Sequence, residues 1–422
     1  MPFSSAWGLP PNRHTWRGSP QPTDAVKDLS TWLRHRHDQH LLRQRRCRDG
    51  VQGVSQRIDG RDVVAFCSND YLGLAGDPRL TEAMRDATAR HGVGSGAAHL
   101  VNGHHRLHEQ LEERLAAFTG RARALLFSTG YMANLGVLQA LAAPGDQILA
   151  DRLVHASLLD GAILSRARLR RYAHGDVAAL RARLTEIDSQ RQTLIVTDGV
   201  FSMDGDLAPL TDLATLARTH DATLIVDDAH GLGVLGPNGR GSLEHFGMSA
   251  RDVPVLIGTL GKAFGTSGAF VAGDVDLIEY LMQTARAYIY TTATPPPIAA
   301  ATLASLEIVE QEPERRAKLA LLVRHFRELT APIADRLLPS TSPIQGVVTV
   351  DSELALEFSR WLLDAGLLVS AIRPPTVPDH SARLRITLSA GHSLAHVERL
   401  AEHVVRFCQL NHDKLAKAAE QA

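Results

Sequence analysis

TLIVDDAHGLGVLGPNGRG, residues 223–241, decides how the rest of the chain is read. An apolar, β-branched run leads straight into two adjacent acids and a histidine, the pattern of a buried strand whose carboxyl end carries polar groups. In open α/β sheets, such strand ends face the crevice where ligands bind. Asp227 and Asp228 would be costly if buried unpaired, so at least one of them has to face a cation or a protonated partner. On this segment alone, a pyridinium nitrogen, a metal shared with His230, and a turn role for one acid all remain open. Gly231, Gly233 and Gly236 match the spacing G-x-G-x-x-G, but PNGRG follows them where a dinucleotide site needs a helix. A dinucleotide reading is therefore set aside.

Working outward, the alternation of short β-rich runs with helical stretches continues over 107–272, the signature of βαβ units in a mostly parallel sheet. Seven strands are predicted, at 124–127, 147–151, 169–172, 193–198, 223–228, 255–259 and 268–272. A helical stretch fills 297–338. After it the pattern predicts a strand at 345–350, a helix at 353–365, strands at 367–372 and 384–388, and a closing helix, together a smaller α+β domain. Ahead of the sheet, Leu29, Trp32, Leu33, Leu41 and Leu42 recur at helical spacing, which predicts an amphipathic helix over 24–48. The chain thus divides into a disordered or loosely docked arm (1–23), an N-terminal helical segment (24–65), a large sheet domain (66–297), connecting helices (298–338) and a small C-terminal α+β domain (339–422).

Composition narrows the function classes. The 422 residues, 44% hydrophobic, are enough to bury a large core and to form more than one domain. Lys and Arg number 45 against 46 Asp and Glu, so there is no basic field for nucleic acid. Small molecules and like subunits are the expected partners. Cys47, Cys67 and Cys408 form no CxxC pair, which argues against a disulfide framework and a structural zinc site and fits a reducing, cytoplasmic compartment. No apolar run approaches the ~20 residues of a membrane helix, and no membrane association is expected.

Three further segments carry chemistry. Ser128, Thr129 and Gly130 end one strand and open a helix at 131–141, where free N–H groups could receive a phosphate or simply be capped. Lys262 lies in TLGKAFG (259–265) directly after a strand; the surrounding glycines let a planar group approach, and a lysine kept from water there has a lowered pKa, as a Schiff-base lysine needs. Ala263 in place of Ser or Thr excludes a P-loop, and a solvated surface lysine is the ordinary alternative. His99, His104, His105 and His108 cluster after a Gly92, Gly94, Gly96 run, yet no acid stands in a metalloenzyme spacing, so no metal is expected.

Taken in order, FCSNDYLGL (66–74), GVGSGAAHLVNG (92–103), LLFSTGYMAN (125–134), DRLVHASLLDGA (151–162), TDGVFSMDGDLAPL (197–210), VDDAHGLGVLGPNGRG (226–241), GTLGKAFGTSGAF (258–270) and AIRPPTVP (371–378) resemble the α-oxoamine synthases over 29–408. SMDGD, VDDAHGLGVLG and AIRPPTVP are similar in particular to the branch that condenses L-alanine with a pimeloyl thioester, on CoA or acyl carrier protein, in biotin biosynthesis. The resemblance implies a type I fold of pyridoxal-phosphate (PLP) enzymes, with 66–297 as the PLP-binding domain, acting as a homodimer. It implies that Lys262 holds PLP, that Asp227 pairs with the pyridine nitrogen and that His155 stacks on the ring. Ser202 and His230 would address the 3-oxygen side. Gly130, Tyr131 and Thr259 would hold phosphate, completed by Thr291 and Thr292 of the other subunit. Asn69 and Arg373 would bind the amino-acid carboxylate, with Arg43 and Thr376 at acyl-substrate positions. Its rivals are glycine C-acetyltransferase and other members of the family, a non-catalytic subunit of the same fold, and, more remotely, a metal hydrolase using His230 and Asp228.

Overall fold

The computed structural model describes residues 28–187 and 191–420, and the chain divides into two compact units, Met1–Gln44 and Arg45–Ala422. The arm expected at 1–23 lies outside the described residues. In the first unit one helix, Leu29–Asp38, is opened by Asp28, whose side chain accepts from the Thr31 N–H, and closed by His35, Arg36 and His37 in its last turn, a charge order that suits the helix dipole. The helix predicted to reach residue 48 thus stops at Asp38; the next turn places His40 at φ 58°, a left-handed conformation that a continuing helix cannot contain.

The second unit begins with strands where a helical segment was expected. β1 (Arg48–Asp49), β2 (Ser55–Ile58) and β3 (Arg61–Ala65) form an antiparallel meander. The central sheet follows: β4 (Arg123–Phe127), β5 (Gln147–Asp151), β6 (Arg168–Tyr172), β7 (Thr193–Asp198), β8 (Thr223–Asp227), β9 (Val255–Thr259) and β10 (Ala269–Gly273), in the order β4-β10-β9-β8-β7-β5-β6. Only β10 runs against its neighbours. All seven predicted strands are present, with ends shifted by at most one residue; Asp228 falls just outside β8.

Side chains alternate between two covered faces. Leu194, Val196 and Ile225 enter one apolar layer, while Ile195, Leu224 and Val226 enter the other. Each such buried side chain is worth roughly 1.5–3 kcal/mol, so the central strands carry much of the burial energy. The edge strand β6 is instead protected by Arg168, Arg170 and Arg171.

Helices Pro296–Gln311 and Pro313–Leu329 lead to the C-terminal sheet, in which β11 (Ile344–Val350) and β13 (Ser370–Ile372) flank β14 (Ala382–Thr387). Helices Ser352–Asp364 and Leu394–Leu410 cover it, with Phe358 stacked on Phe407 at 3.9 Å. The single strand predicted at 367–372 is two: β12 (Leu367–Leu368) pairs in parallel with β3, and only β13 joins the C-terminal sheet. No helix among the described residues is long and apolar enough to cross a membrane.

Candidate active site

Parallel strands bring their carboxyl ends to one edge, so Asp151, Asp198, Asp227 and Thr259, the last residues of β5, β7, β8 and β9, share a crevice rim. The two adjacent acids then part company. Asp228 is wholly buried, accepts from the Ser242 N–H at 2.7 Å, and is crowded by Gly199, Gly231 and Gly241, where an added Cβ would lie within 2.4, 2.1 and 2.0 Å of its carboxylate. Burial pushes its carboxyl up to about 7. Asp228 is scaffold, and this explains the glycines: Gly231 makes room for Asp228, while Gly233 (φ 81°) meets Ala263 and Gly236 (φ 82°) meets Glu244. The next helix waits until Ser242–His245, so the dinucleotide spacing is a packing feature.

Asp227 is aimed instead. Its Oδ2 accepts from Asn134 Nδ2 at 2.7 Å and its Oδ1 from the Ala229 N–H at 3.0 Å. Asn134 Nδ2 also donates to Ser157 Oγ at 2.8 Å, and Ser157 Oγ lies 2.6 Å from His155 Nδ1. His155 caps the helix Ala156–Ser165, with its own N–H donating to Asp198 at 3.0 Å. Desolvation lowers the His155 pKa, against the opposing field of Asp227.

Lys262 faces this group. Burial lowers its pKa to about 8, although Asp227 and Asp198 both pull it upward. Its Nζ lies 2.8 Å from His230 Nε2, and His230 Nδ1 lies 2.6 Å from the Tyr71 hydroxyl. Tyr71 donates to Asn69 Oδ1 at 3.2 Å, which also accepts from two Arg385 nitrogens at 3.2 Å each. Because Asn69 takes the Tyr71 proton, His230 must donate from Nδ1 to Tyr71 and accept from Lys262 at Nε2. Burial, with Lys262 and Arg385 nearby, holds His230 neutral, as that tautomer requires.

At the other end, Thr129 caps the helix Gly130–Leu141 through the Met132 N–H. Gly130 has only Thr259 within reach of an added Cβ, at 4.0 Å, and Thr259 Oγ1 accepts from the Gly261 N–H at 3.3 Å. Here a helix N-terminus meets a glycine turn with room for an anion. The Tyr131 hydroxyl is turned aside and donates to Asp160. An amine with a lowered pKa, an oriented carboxylate opposite it and an N–H-rich cradle together fit an aromatic aldehyde phosphate with a basic ring nitrogen.

The remaining expected residues lie as follows. Ser202 is half-buried, and its carbonyl accepts from Arg385 Nε at 2.6 Å. Thr292 bridges Ala98, the Ala293 N–H donates to Ala97 O at 3.0 Å and Ser95 Oγ to Thr294 O at 2.6 Å, so the 291–294 segment is laced to the glycine-rich run rather than to Lys262. Arg373 follows β13 and turns into Thr376, whose N–H donates to Arg373 O at 3.1 Å. Arg43 is exposed in the first unit. The sequence reading missed Arg385, although ARLRIT alternates two buried arginines with Leu384 and Ile386, a pattern that apolar burial alone does not produce.

His99, His104 and His108 do converge, with ligand atoms within 4.8 Å of one another. Both His108 nitrogens are already used: Nδ1 accepts from the His105 N–H at 3.0 Å and Nε2 donates to Thr294 O at 2.8 Å. His99 and His104 face each other at 2.8 Å.

Comparison with known proteins agrees with this geometry. The family model for class I and II aminotransferases matches residues 61–404. An 8-amino-7-oxononanoate synthase from Thioalkalivibrio sulfidiphilus is 57% identical over 381 residues, covering 90% of this chain and 97% of the relative. A solved serine palmitoyltransferase from S. paucimobilis with bound PLP-myriocin matches with a TM-score of 0.85 at 30% identity, over 90% of this chain and 97% of that one. An 8-amino-7-oxononanoate synthase from Francisella tularensis matches with a TM-score of 0.72 at 34% identity, over 83% and 99%. With a strand-end lysine and carboxylate on this sheet and relatives of this kind along nearly its whole length, the chain belongs to the class I and II aminotransferase family and, within it, to the 8-amino-7-oxononanoate synthases.

Proposed function

We infer that the chain is a PLP-dependent C-acyltransferase that condenses L-alanine with a pimeloyl thioester, giving 8-amino-7-oxononanoate, CO2 and the free thiol carrier, in biotin biosynthesis. The observation that carries this reading is the chain Lys262–His230–Tyr71–Asn69–Arg385, set beside the oriented carboxylate of Asp227. Bound PLP supplies an aldehyde carbon and a ring that takes up the electrons left at the substrate Cα. Lys262 would hold the cofactor through its amine and would be the group that moves the Cα proton; a pKa of about 8 leaves part of it unprotonated near neutral pH. Asp227, fixed by Asn134 and the Ala229 N–H, would keep a ring nitrogen protonated.

His155 would lie against the face of the ring, and Ser202 and His230 would hold its 3-oxygen side. Gly130, Tyr131 and Thr259 contribute to the phosphate cradle, the first two through the helix N-terminus. Asn69, Arg385 and Arg373 take the alanine carboxylate, the planar Arg385 fork being already buried beside Asn69. Thr376 serves the acyl substrate. A homodimer accompanies this reading, with Thr291 and Thr292 completing the partner's phosphate site. Exposed Val93, Leu100, Val101 and Tyr290, on or beside the segments laced to 291–294, supply the apolar surface for it. The cysteines are unpaired, which suits the cytoplasm.

The test is a substrate matrix. L-Alanine, glycine and L-serine are each incubated with pimeloyl-CoA, pimeloyl-acyl carrier protein, acetyl-CoA, succinyl-CoA and palmitoyl-CoA, and the amino ketone is identified by mass. Product should form fastest from L-alanine with a pimeloyl thioester; a preference for glycine or serine, or for another acyl group, would overturn the substrate assignment.

A further inference from the structure

His174 follows β6 in the sequence YAHGD and touches nothing assigned above. Its Nδ1 lies 2.9 Å from Asp151 Oδ1 and its Nε2 lies 2.8 Å from Asp206 Oδ2, while its ring meets Phe201 edge-on at 4.3 Å. Carboxylates only accept, so both ring nitrogens have to donate; a neutral ring would set a lone pair against one of the acids.

Each acid shapes a different part of the crevice. Asp151 accepts from the Leu153 N–H at 2.7 Å and the Gly175 N–H at 2.8 Å, fixing the turn that delivers His155 to the head of its helix. Asp206 closes the loop after β7: the Phe201 N–H donates to Asp206 O at 3.0 Å, and Val200 bridges Leu207. That loop carries Ser202, whose carbonyl seats Arg385. Its far side is tied to the C-terminal sheet by Asp204 with Arg383 at 2.5 Å, and to the segment leading into that sheet by Ser340 Oγ donating to Gly205 O at 2.8 Å.

We propose that His174 is a positioning residue, an imidazolium bridge between Asp151 and Asp206 that fixes the 151–155 turn against the 202–206 loop and thereby sets His155 and Arg385 relative to each other. Burial alone would lower its pKa, but the bonds to Asp151 and Asp206 override this and push it up to about 10. Asp204, Tyr172 and Asp198 are other titratable groups close to this bridge, each influenced by members of it. The proposal rests on the assignment of His155 and Arg385 to the cofactor and substrate site.

The experiment compares full-length, PLP-loaded wild type with His174→Asn, His174→Arg, Asp206→Asn and the His174→Asn/Asp206→Asn double variant. It reads kcat and KM for L-alanine, the circular dichroism of the bound cofactor, and the His174 ring 15N signals. His174→Asn should raise the alanine KM about tenfold and weaken the cofactor dichroism, and His174→Arg, which keeps the cation, should recover most of both. The double variant should be no worse than His174→Asn. Wild-type ring signals should remain those of an imidazolium through pH 8.

Alanine KM and dichroism within twofold of wild type in His174→Asn, multiplicative losses in the double variant, or a neutral ring at pH 7 would each overturn the proposal. Should His174→Asn not fold, Asp206→Asn alone decides, since Asp206 is partly exposed; an unchanged alanine KM in that variant overturns the proposal. A wild-type protein with no cofactor band and no alanine turnover would overturn the underlying reading as well, whatever the variants do.

Discussion

His230 and His108 are both buried, both neutral and both bonded through each ring nitrogen, yet they do different work. The partners of His230 are side chains from distant segments, the Tyr71 hydroxyl and Lys262 Nζ. The partners of His108 are main-chain groups, the His105 N–H and Thr294 O. Burial lowers both pKa values, that of His108 to about 4, so the shift does not separate them. What separates them is where the bonds lead. A histidine that ends on the backbone holds a fold together, whereas one that ends on an amine of lowered pKa transmits its tautomer to chemistry.

Variants on the two sides should therefore diverge. The largest effect is expected at the acid opposite the lysine: Asp227→Asn keeps the shape and the Asn134 contact but removes the charge proposed to hold a ring nitrogen protonated, and kcat should fall by about 10²–10³. A loss under tenfold would remove Asp227 from the chemistry. Arg385→Lys gives up the planar fork beside Asn69, which should raise the alanine KM about 10–100-fold with a smaller change in kcat. If Arg373→Lys has that effect and Arg385→Lys does not, the carboxylate belongs to Arg373.

On the scaffold side, His108→Phe leaves the His105 N–H without its partner and Thr294 O with Ser95 Oγ alone, and should cost about 1–3 kcal/mol, read as a lower Tm, while the cofactor absorption stays unshifted. A shifted absorption would place the 99–108 cluster within the site.

The smallest effect comes from pH. The folded pKa of His174, about 10, lies above its unfolded value of 6.5, so its contribution to stability is complete below pH 6.5 and is lost as pH rises through about 10. The Tm gap between wild type and His174→Asn should accordingly be widest at pH 6 and close toward pH 10.5. A gap that widens with pH would contradict the charged bridge.

Much of this was legible in the chain itself. The central strands carry continuous apolar runs because both faces are covered, so periodicity located all seven, and position at a strand end drew attention to the Asp227–Asp228 pair and to Lys262, while Thr259 came from the resemblance. Strands that take their stability from pairing more than burial were less visible: β2 and β3, SQRI and RDVVA, are half polar and lie where a helical segment was expected. The split of 367–372 between two sheets depends on partners far away in sequence. Arg385 escaped notice because AIRPPTVP drew attention to Arg373, while the burial of an arginine inside a strand appears only once β14 is packed. The difference in surroundings between Asp227 and Asp228 likewise appears only in the structure, where three glycines press on Asp228.

The central claim is that Lys262, lowered to a pKa of about 8 opposite Asp227, is the residue that bonds the cofactor. Borohydride reduction of the PLP-loaded protein, followed by proteolysis and mass spectrometry, tests it directly. The account predicts a phosphopyridoxyl mass on the peptide containing Lys262 and none anywhere in Lys262→Ala; a label on another lysine, or no label on wild type, would contradict it.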